Sequence, residues 1–182
     1  MSQIHRLQLN TRNSHRAFTL IELLVVISII ALLSSVVLSA LNSARQKAQI
    51  AATRQMMAQI AKAVVVAQGE SAKTLMTITG SNCTDCNGCR TGADLRGTTG
   101  ACYTGWVNVL STVQSNTNGL VTGLTNMTRD AWGSPFAVDE NQGEGGAGAC
   151  STYDGFRSVG PDGIWGNGDD ISFTIPLSVK CP

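Results

Sequence analysis

From Phe18 to Leu38 the chain is almost continuously apolar: 16 of 21 residues are hydrophobic, and Glu22 is the single charge. As a helix this stretch spans roughly 31 Å at ~1.5 Å per residue, about the thickness of a bilayer core. From Asn42 to Gln68 helical spacing continues but the pattern turns amphipathic. Ala48, Ala52, Met56, Ile60, Ala63 and Ala67 recur every three or four positions, with Arg45, Lys47, Arg54 and Lys62 between them. No proline or glycine interrupts Phe18 to Gln68, and Gly69 is placed to cap the helix. The pattern predicts one long helix, its first half suited to a membrane and its second half packed on a head. Beyond Gly69 the chain becomes rich in Gly, Thr, Asn and Ser. Trp106–Val113 reads as a short helix. Phe136–Val138, Tyr153–Val159 and Ile171–Val179 read as strands between glycine and aspartate turns, with Pro176 favouring an edge position or a bulge.

Composition narrows the function. The 182 residues are 43% hydrophobic and 14% charged, too apolar for a disordered chain, and the 19 glycines argue against an all-helical protein. A net charge of +1 gives no field that would make nucleic acid a specific partner. Residues 1–17 contain Arg6, Arg12 and Arg16 without an acid, which suits the cytoplasmic side of a membrane segment. Both histidines, His5 and His15, lie there too. If that stretch is removed, histidine triads, Cys-His pairs and histidine-ligated zinc are excluded, and an enzyme is not expected.

Three ordinary explanations compete for the apolar segment. A secretory signal has an apolar region of only ~7–15 residues followed by a cleavage site, here at best Val37-Leu38-Ser39-Ala40. A plain membrane anchor leaves Glu22 unexplained, since a charge in an apolar helix costs up to ~3 kcal/mol and usually serves a function. A buried core helix of this length does not suit so small a domain. The stretch Arg16-Ala17-Phe18-Thr19-Leu20-Ile21-Glu22-Leu23 resembles the prepilin peptidase site of type IV pilins and type II secretion pseudopilins. The resemblance implies cleavage between Ala17 and Phe18, N-methylation of Phe18, and pairing of Glu22 with a neighbouring subunit's new amine during assembly. A carboxylate otherwise stranded in lipid is a natural partner for that cation. Ala17 stands where the family usually has glycine, and Ser39 where its helices often carry a helix-breaking proline.

A second informative stretch runs from Ser158 to Ile171. Asp162, Asp169 and Asp170 fall within nine residues on a glycine-rich backbone. Calcium takes six to eight oxygens in flexible geometry, but the spacing is not that of an EF-hand, and a solvated acidic hairpin explains the residues equally. The stretch resembles the C-terminal calcium loop of the major type II secretion pseudopilin, and Asp130-Ala-Trp132-Gly133-Ser-Pro135 resembles a motif of the same family. That resemblance implies side-chain ligation by Asp162, Asp169 and Asp170, and carbonyl ligation by Val159 and Ile164. The Trp-Gly turn reads as structural, with Trp132 in the core.

Cys83, Cys86, Cys89, Cys102, Cys150 and Cys181 complete the candidate chemistry. The Cys-x2-Cys-x2-Cys run suggests an iron–sulfur site, but its fourth ligand would be distant and its surroundings are polar. A four-cysteine zinc site lacks the usual paired spacing. In an extracytoplasmic head an even count means disulfides, and six cysteines allow fifteen pairings. We favour Cys150–Cys181 tying the last strands together and the other four stapling residues 83–102.

The expected fold is α+β, a long N-terminal helix on a small antiparallel sheet, as in pilins. The expected organisation is a leader at 1–17, a membrane and assembly helix at 18–69, and a head at 70–182. The head would contain the cysteine-rich segment 83–102 and the acidic glycine loop 158–171. The resemblance implies a homo-oligomeric filament with a prepilin peptidase, an assembly ATPase and a platform protein as partners. The subunit would sit in the inner membrane in a single pass, with its head outside the cytoplasm, and pass into a periplasmic or extracellular filament. A minor tip pilin or calcium-dependent adhesin, and a membrane-anchored cysteine metal or redox protein, are the competing functions. Roughly residues 74–128 match no pilin feature. The loop favours a secretion pseudopilus; the cysteines, the absent proline and the extra length favour a pilus.

Overall fold

A computed structural model describes residues 18–80, 84–142 and 152–177, with only the backbone of Cys86 and Asn87 described. The leader with Ala17, three of the cysteines (Cys83, Cys150 and Cys181) and the expected end of the last strand at Val179 lie outside these residues, as does the side chain of Cys86. The chain divides into two compact units, Met1–Ala44 and Arg45–Pro182, with the boundary inside the first helix, α1 (Leu20–Ser71).

In the first unit, the described residues form the apolar part of α1, and all are exposed. By length and composition α1 can cross a membrane once. Two of its serines bond locally: Ser28 Oγ donates to the Leu24 carbonyl at 2.7 Å and Ser35 Oγ to that of Leu32 at 2.8 Å. Such back-bonding lets hydroxyls sit in an apolar helix without a distant partner.

In the second unit, α1 contributes Thr53, Met57, Ile60, Ala61, Ala63, Val64, Ala67 and Gln68 to the interior. The expected face is correct from Ile60 onward, but Ala48 and Ala52 are exposed and Met56 only half-buried. Polar contacts set the helix phase here. Thr53 Oγ1 accepts the Ala131 amide at 3.3 Å, and Gln49 Nε2 donates to the Ala131 carbonyl at 3.2 Å. Gly69 does not cap the helix. It lies exposed within it, and α1 ends at Ser71, followed by Ala72 with φ of 51°. Ala72 takes the left-handed conformation that usually falls to glycine.

Two short helices follow, α2 (Leu75–Thr79) and α3 (Thr84–Asn87), then α4 (Ala101–Ser115). α4 is almost twice the length of the Trp106–Val113 segment expected, because it begins five residues earlier, at Ala101, in a turn whose short run of mixed residues carries no clear hydrophobic periodicity. It buries Cys102, Trp106, Val109, Leu110 and Val113, one face at helical spacing. At Gly105 a Cβ would sit 2.7 Å from Thr84 Cγ2, so glycine permits the close approach of α3 to α4.

Three short strands, β1 (Ala137–Asp139), β2 (Gly155–Ser158) and β3 (Ile171–Thr174), form an antiparallel meander in the order β1-β2-β3. Phe156 pairs with Val138 on one side and Phe173 on the other. β3 ends before Pro176, which therefore interrupts no ladder. The core lies between α1, α4 and the sheet. Trp106 packs against Phe136 and Phe156 with ring centroids 5.5 and 5.7 Å apart, and its indole N–H donates to the Met127 carbonyl at 3.1 Å. Trp132 is half-buried against this core rather than inside it. On the β1 edge, the Val138 amide donates to Thr84 Oγ1 at 2.9 Å.

Candidate functional site

At the start of α1, Thr19 and Glu22 form a reciprocal cap. Glu22 Oε2 accepts from the Thr19 amide and from Thr19 Oγ1, both at 2.9 Å, while the Glu22 amide donates to Thr19 Oγ1 at 3.3 Å. This is the Thr-x-x-Glu capping box, whose glutamate satisfies an amide that the helix leaves unpaired. The Thr-x-x-Glu pattern is legible in the sequence, and it gives Glu22 a local role besides any in assembly. One carboxylate oxygen is engaged by Thr19, and Phe18 beside it is 83% exposed. Among the described residues, the start of α1 thus presents a carboxylate, an exposed aromatic residue and a predominantly apolar helix.

The acidic loop is built from the end of β2 to the start of β3. Asp130 anchors its entrance. Its Oδ1 accepts the Trp132 and Ser134 amides, both at 2.9 Å, and its Oδ2 accepts Ser158 Oγ at 2.6 Å. Burial pushes the Asp130 carboxyl up despite those bonds. Ser158 Oγ in turn accepts the Gly160 amide at 3.2 Å. Gly160 has φ of +68°, and a Cβ there would lie 2.4 Å from the Asp169 carbonyl oxygen, so the two ends of the loop touch where only glycine fits.

Within the loop each aspartate turns to nearby donors. Asp162 accepts the Ile164 amide at 2.8 Å and Asn167 Nδ2 at 2.6 Å; Asp169 Oδ2 accepts the Asp162 amide at 3.3 Å. Asp170 Oδ2 accepts the Gly166 amide at 3.0 Å and lies 3.5 Å from Arg157 Nη1. Among the described residues Asp170 Oδ1 has no hydrogen-bond partner, and only 6% of its side chain is exposed. Burial raises the Asp170 carboxyl above its ordinary value; the Gly166 amide and Arg157 oppose this, and the charges of Asp169 and Asp162 add to it.

These features bear on calcium. Carboxylate and main-chain oxygens are the donors calcium takes, and an orphaned, buried carboxylate oxygen with like charges nearby is one that a cation would satisfy. In this arrangement Asp162, Asp169 and Asp170 do not close into a three-carboxylate cluster, and no group of three or more His, Cys, Asp or Glu among the described residues could hold a metal ion. Ile164 is exposed and Val159 fully buried.

Of the cysteines, Cys89 and Cys102 form a disulfide within the 83–102 segment. Both are buried and belong with Leu95, Ala137 and Val159 to a second small core, against which Trp165 packs. A further group went unrecognised in the sequence. Glu140 is 1% exposed, and its carboxyl is pushed up to about 7, chiefly by burial and further by Asp154 and Asp139, while the Thr79 hydroxyl opposes the shift. Nothing in its sequence context (Val-Asp-Glu-Asn) announces burial.

Residues 12–38 match the family model of the prokaryotic N-terminal methylation motif. No curated protein and no solved structure matches the chain. With its apolar helix α1, the chain thus carries the N-terminal methylation motif characteristic of prepilin- and pseudopilin-type proteins.

Proposed function

We propose that the chain is a structural, non-enzymatic subunit of a type IV pilus-like or type II secretion filament. The methylation motif on a helix whose residues 20–41 are all exposed carries this reading. Such a helix is unstable in water and requires lipid or the helices of other subunits. The precursor crosses the inner membrane once, with its head outside the cytoplasm. A prepilin peptidase cleaves it between Ala17 and Phe18, and Phe18 is methylated. An assembly ATPase and a platform protein then drive its transfer from lipid into the filament. Glu22 guides register by pairing with the new amine of a neighbouring subunit, using the carboxylate capacity that Thr19 leaves free. Mass spectrometry of filament or membrane material tests this directly. A chain beginning at Phe18 with one added methyl group is expected; one beginning at Met1, or after Ser39, refutes it.

The proposal extends to the acidic loop, where calcium bound through Asp162, Asp169, Asp170 and loop carbonyls would stiffen the head. The partnerless Asp170 Oδ1 supports this part. Bound calcium would add stability by mass action, about 2.7 kcal/mol at a hundredfold excess over its Kd. Thermal melting of the detergent-solubilised chain should therefore rise by several degrees in calcium over chelator. Equal melting would refute calcium binding and leave the filament role standing.

A further inference from the structure

The segment between Cys89 and Cys102 makes several of its contacts with the acidic loop. The Leu95 amide donates to the Gly163 carbonyl at 2.9 Å, and Arg96 Nη1 donates to the Pro161 carbonyl at 3.0 Å. Arg96 is aimed by Asp94, which accepts its backbone amide and its Nε, both at 2.9 Å. Gly163 packs so closely that a Cβ there would overlap Asp94 Oδ1 and lie 3.0 Å from Arg96 Cγ. Arg90, fixed by Asp85 at 3.0 Å, lies 5.3 Å from the centroid of Trp165, and Arg157 lies 4.7 Å from the same ring.

Beneath these polar contacts lies the second small core. Its members come from the disulfide (Cys89, Cys102), the segment it closes (Leu95), the first strand (Ala137) and the acidic loop (Val159, with Trp165 against it). It is distinct from the main core of α1, α4 and the sheet. The loop is glycine-rich, and the internal bonds described above reach no further than seven residues, so its shape depends also on what it packs against. The wall it packs against is a ring of residues closed by one covalent bond.

We propose that the ring closed by Cys89 and Cys102 is the positioning element of the acidic loop, so that opening this disulfide releases residues 159–166 while the main core stays folded. On the reading that the loop holds calcium, the same bond makes cation binding dependent on oxidation of the head. A subunit whose ring has not closed, as in a reducing compartment, carries a loop not yet shaped for the ion.

The test is hydrogen exchange, read by mass spectrometry, on the full chain in detergent micelles. Wild type is compared with a Cys89→Ala, Cys102→Ala pair and with Arg96→Gln, which keeps the disulfide but removes one contact to the loop. The cysteine pair should speed exchange across 159–166 by about tenfold or more, and Arg96→Gln by about threefold, with 106–113 unchanged in both. Unchanged exchange at 159–166 in either variant overturns the proposal. So does equal acceleration at 106–113, because the ring would then support the whole head. Adding calcium to wild type separates the two readings. No added protection at 159–170 refutes calcium binding, whereas the difference between wild type and variants reports on the ring alone.

Discussion

Replacing Glu140 by glutamine should stabilise the head at pH 8 and leave it almost unchanged at pH 5. Thr79 Oγ1 lies 2.5 Å from Glu140 Oε1 and 3.0 Å from the Leu75 carbonyl. A hydroxyl has one proton and cannot serve both acceptors. If Glu140 is protonated, it donates to Thr79, and Thr79 donates to Leu75; both bonds are then made. If Glu140 is ionised, one acceptor loses its proton and a buried charge faces Asp154 and Asp139, with Glu140 Oε2 without a hydrogen-bond partner. The folded carboxyl titrates at about 7 against an ordinary 4.5, so between those values the folded state holds a proton that the unfolded state has released. Stability therefore falls as pH rises through this window, and at 1.36 kcal/mol per pKa unit the full loss is about 3 kcal/mol above pH 7. Glutamine keeps the donor to Thr79 and cannot ionise. Melting curves of wild type and Glu140→Gln from pH 4.5 to 8 should converge at the acid end and separate by up to about 10 °C at the basic end. The raised carboxyls of Asp85, Asp130 and Asp170 act in the same direction in both proteins and cancel in the difference. Parallel curves, or a variant less stable at pH 8, would show that Glu140 is ionised at no cost to the fold.

Glu22→Ala removes both the capping contact and the proposed partner for the amine. It should weaken the cap at the start of the helix, leave membrane insertion intact and sharply reduce filament yield in a strain lacking wild-type subunit. Normal filament mass would rule out the assembly role. Gly160→Ala forces a Cβ against the Asp169 carbonyl from a left-handed backbone, so it should destabilise the head by about 2 kcal/mol or more and abolish any calcium-dependent shift in melting. A variant that melts like wild type would show that the loop ends are not held together.

The sequence made the long helix legible because hydrophobic periodicity repeats over many turns and nothing breaks it before Gly69. The three strands were recognised for a related reason: short apolar runs bounded by turn residues identify strands, although their ends can shift, and β3 stops at Thr174, well short of the expected Val179. What sequence could not supply was long-range polar geometry. The phase of α1 near Thr53 depends on a bond to Ala131, 78 positions away, and the burial of Glu140 depends on Thr79, 61 positions away. Gly69 looked like a cap because glycine usually is one; the helix passes through it because Ala72 takes the turn instead. For the acidic loop, the aspartates were visible as a spacing. Their dependence on the Cys89–Cys102 ring was not, because that wall lies more than sixty residues upstream.

The Thr84 hydroxyl that receives the Val138 amide has a consequence for how heads meet. A filament crowds its heads at high local concentration, and a three-stranded meander exposes two edges, each able to pair with a strand of another chain. On the β1 edge that amide is occupied by a side chain of α3, and α3 covers the strand. Just beyond the other edge strand stands Pro176, which has no amide to offer. The β1 edge thus resists growth of the sheet from one chain into the next. In the filament proposed above, heads meeting along this edge would touch side chain to side chain rather than extend one sheet into the next.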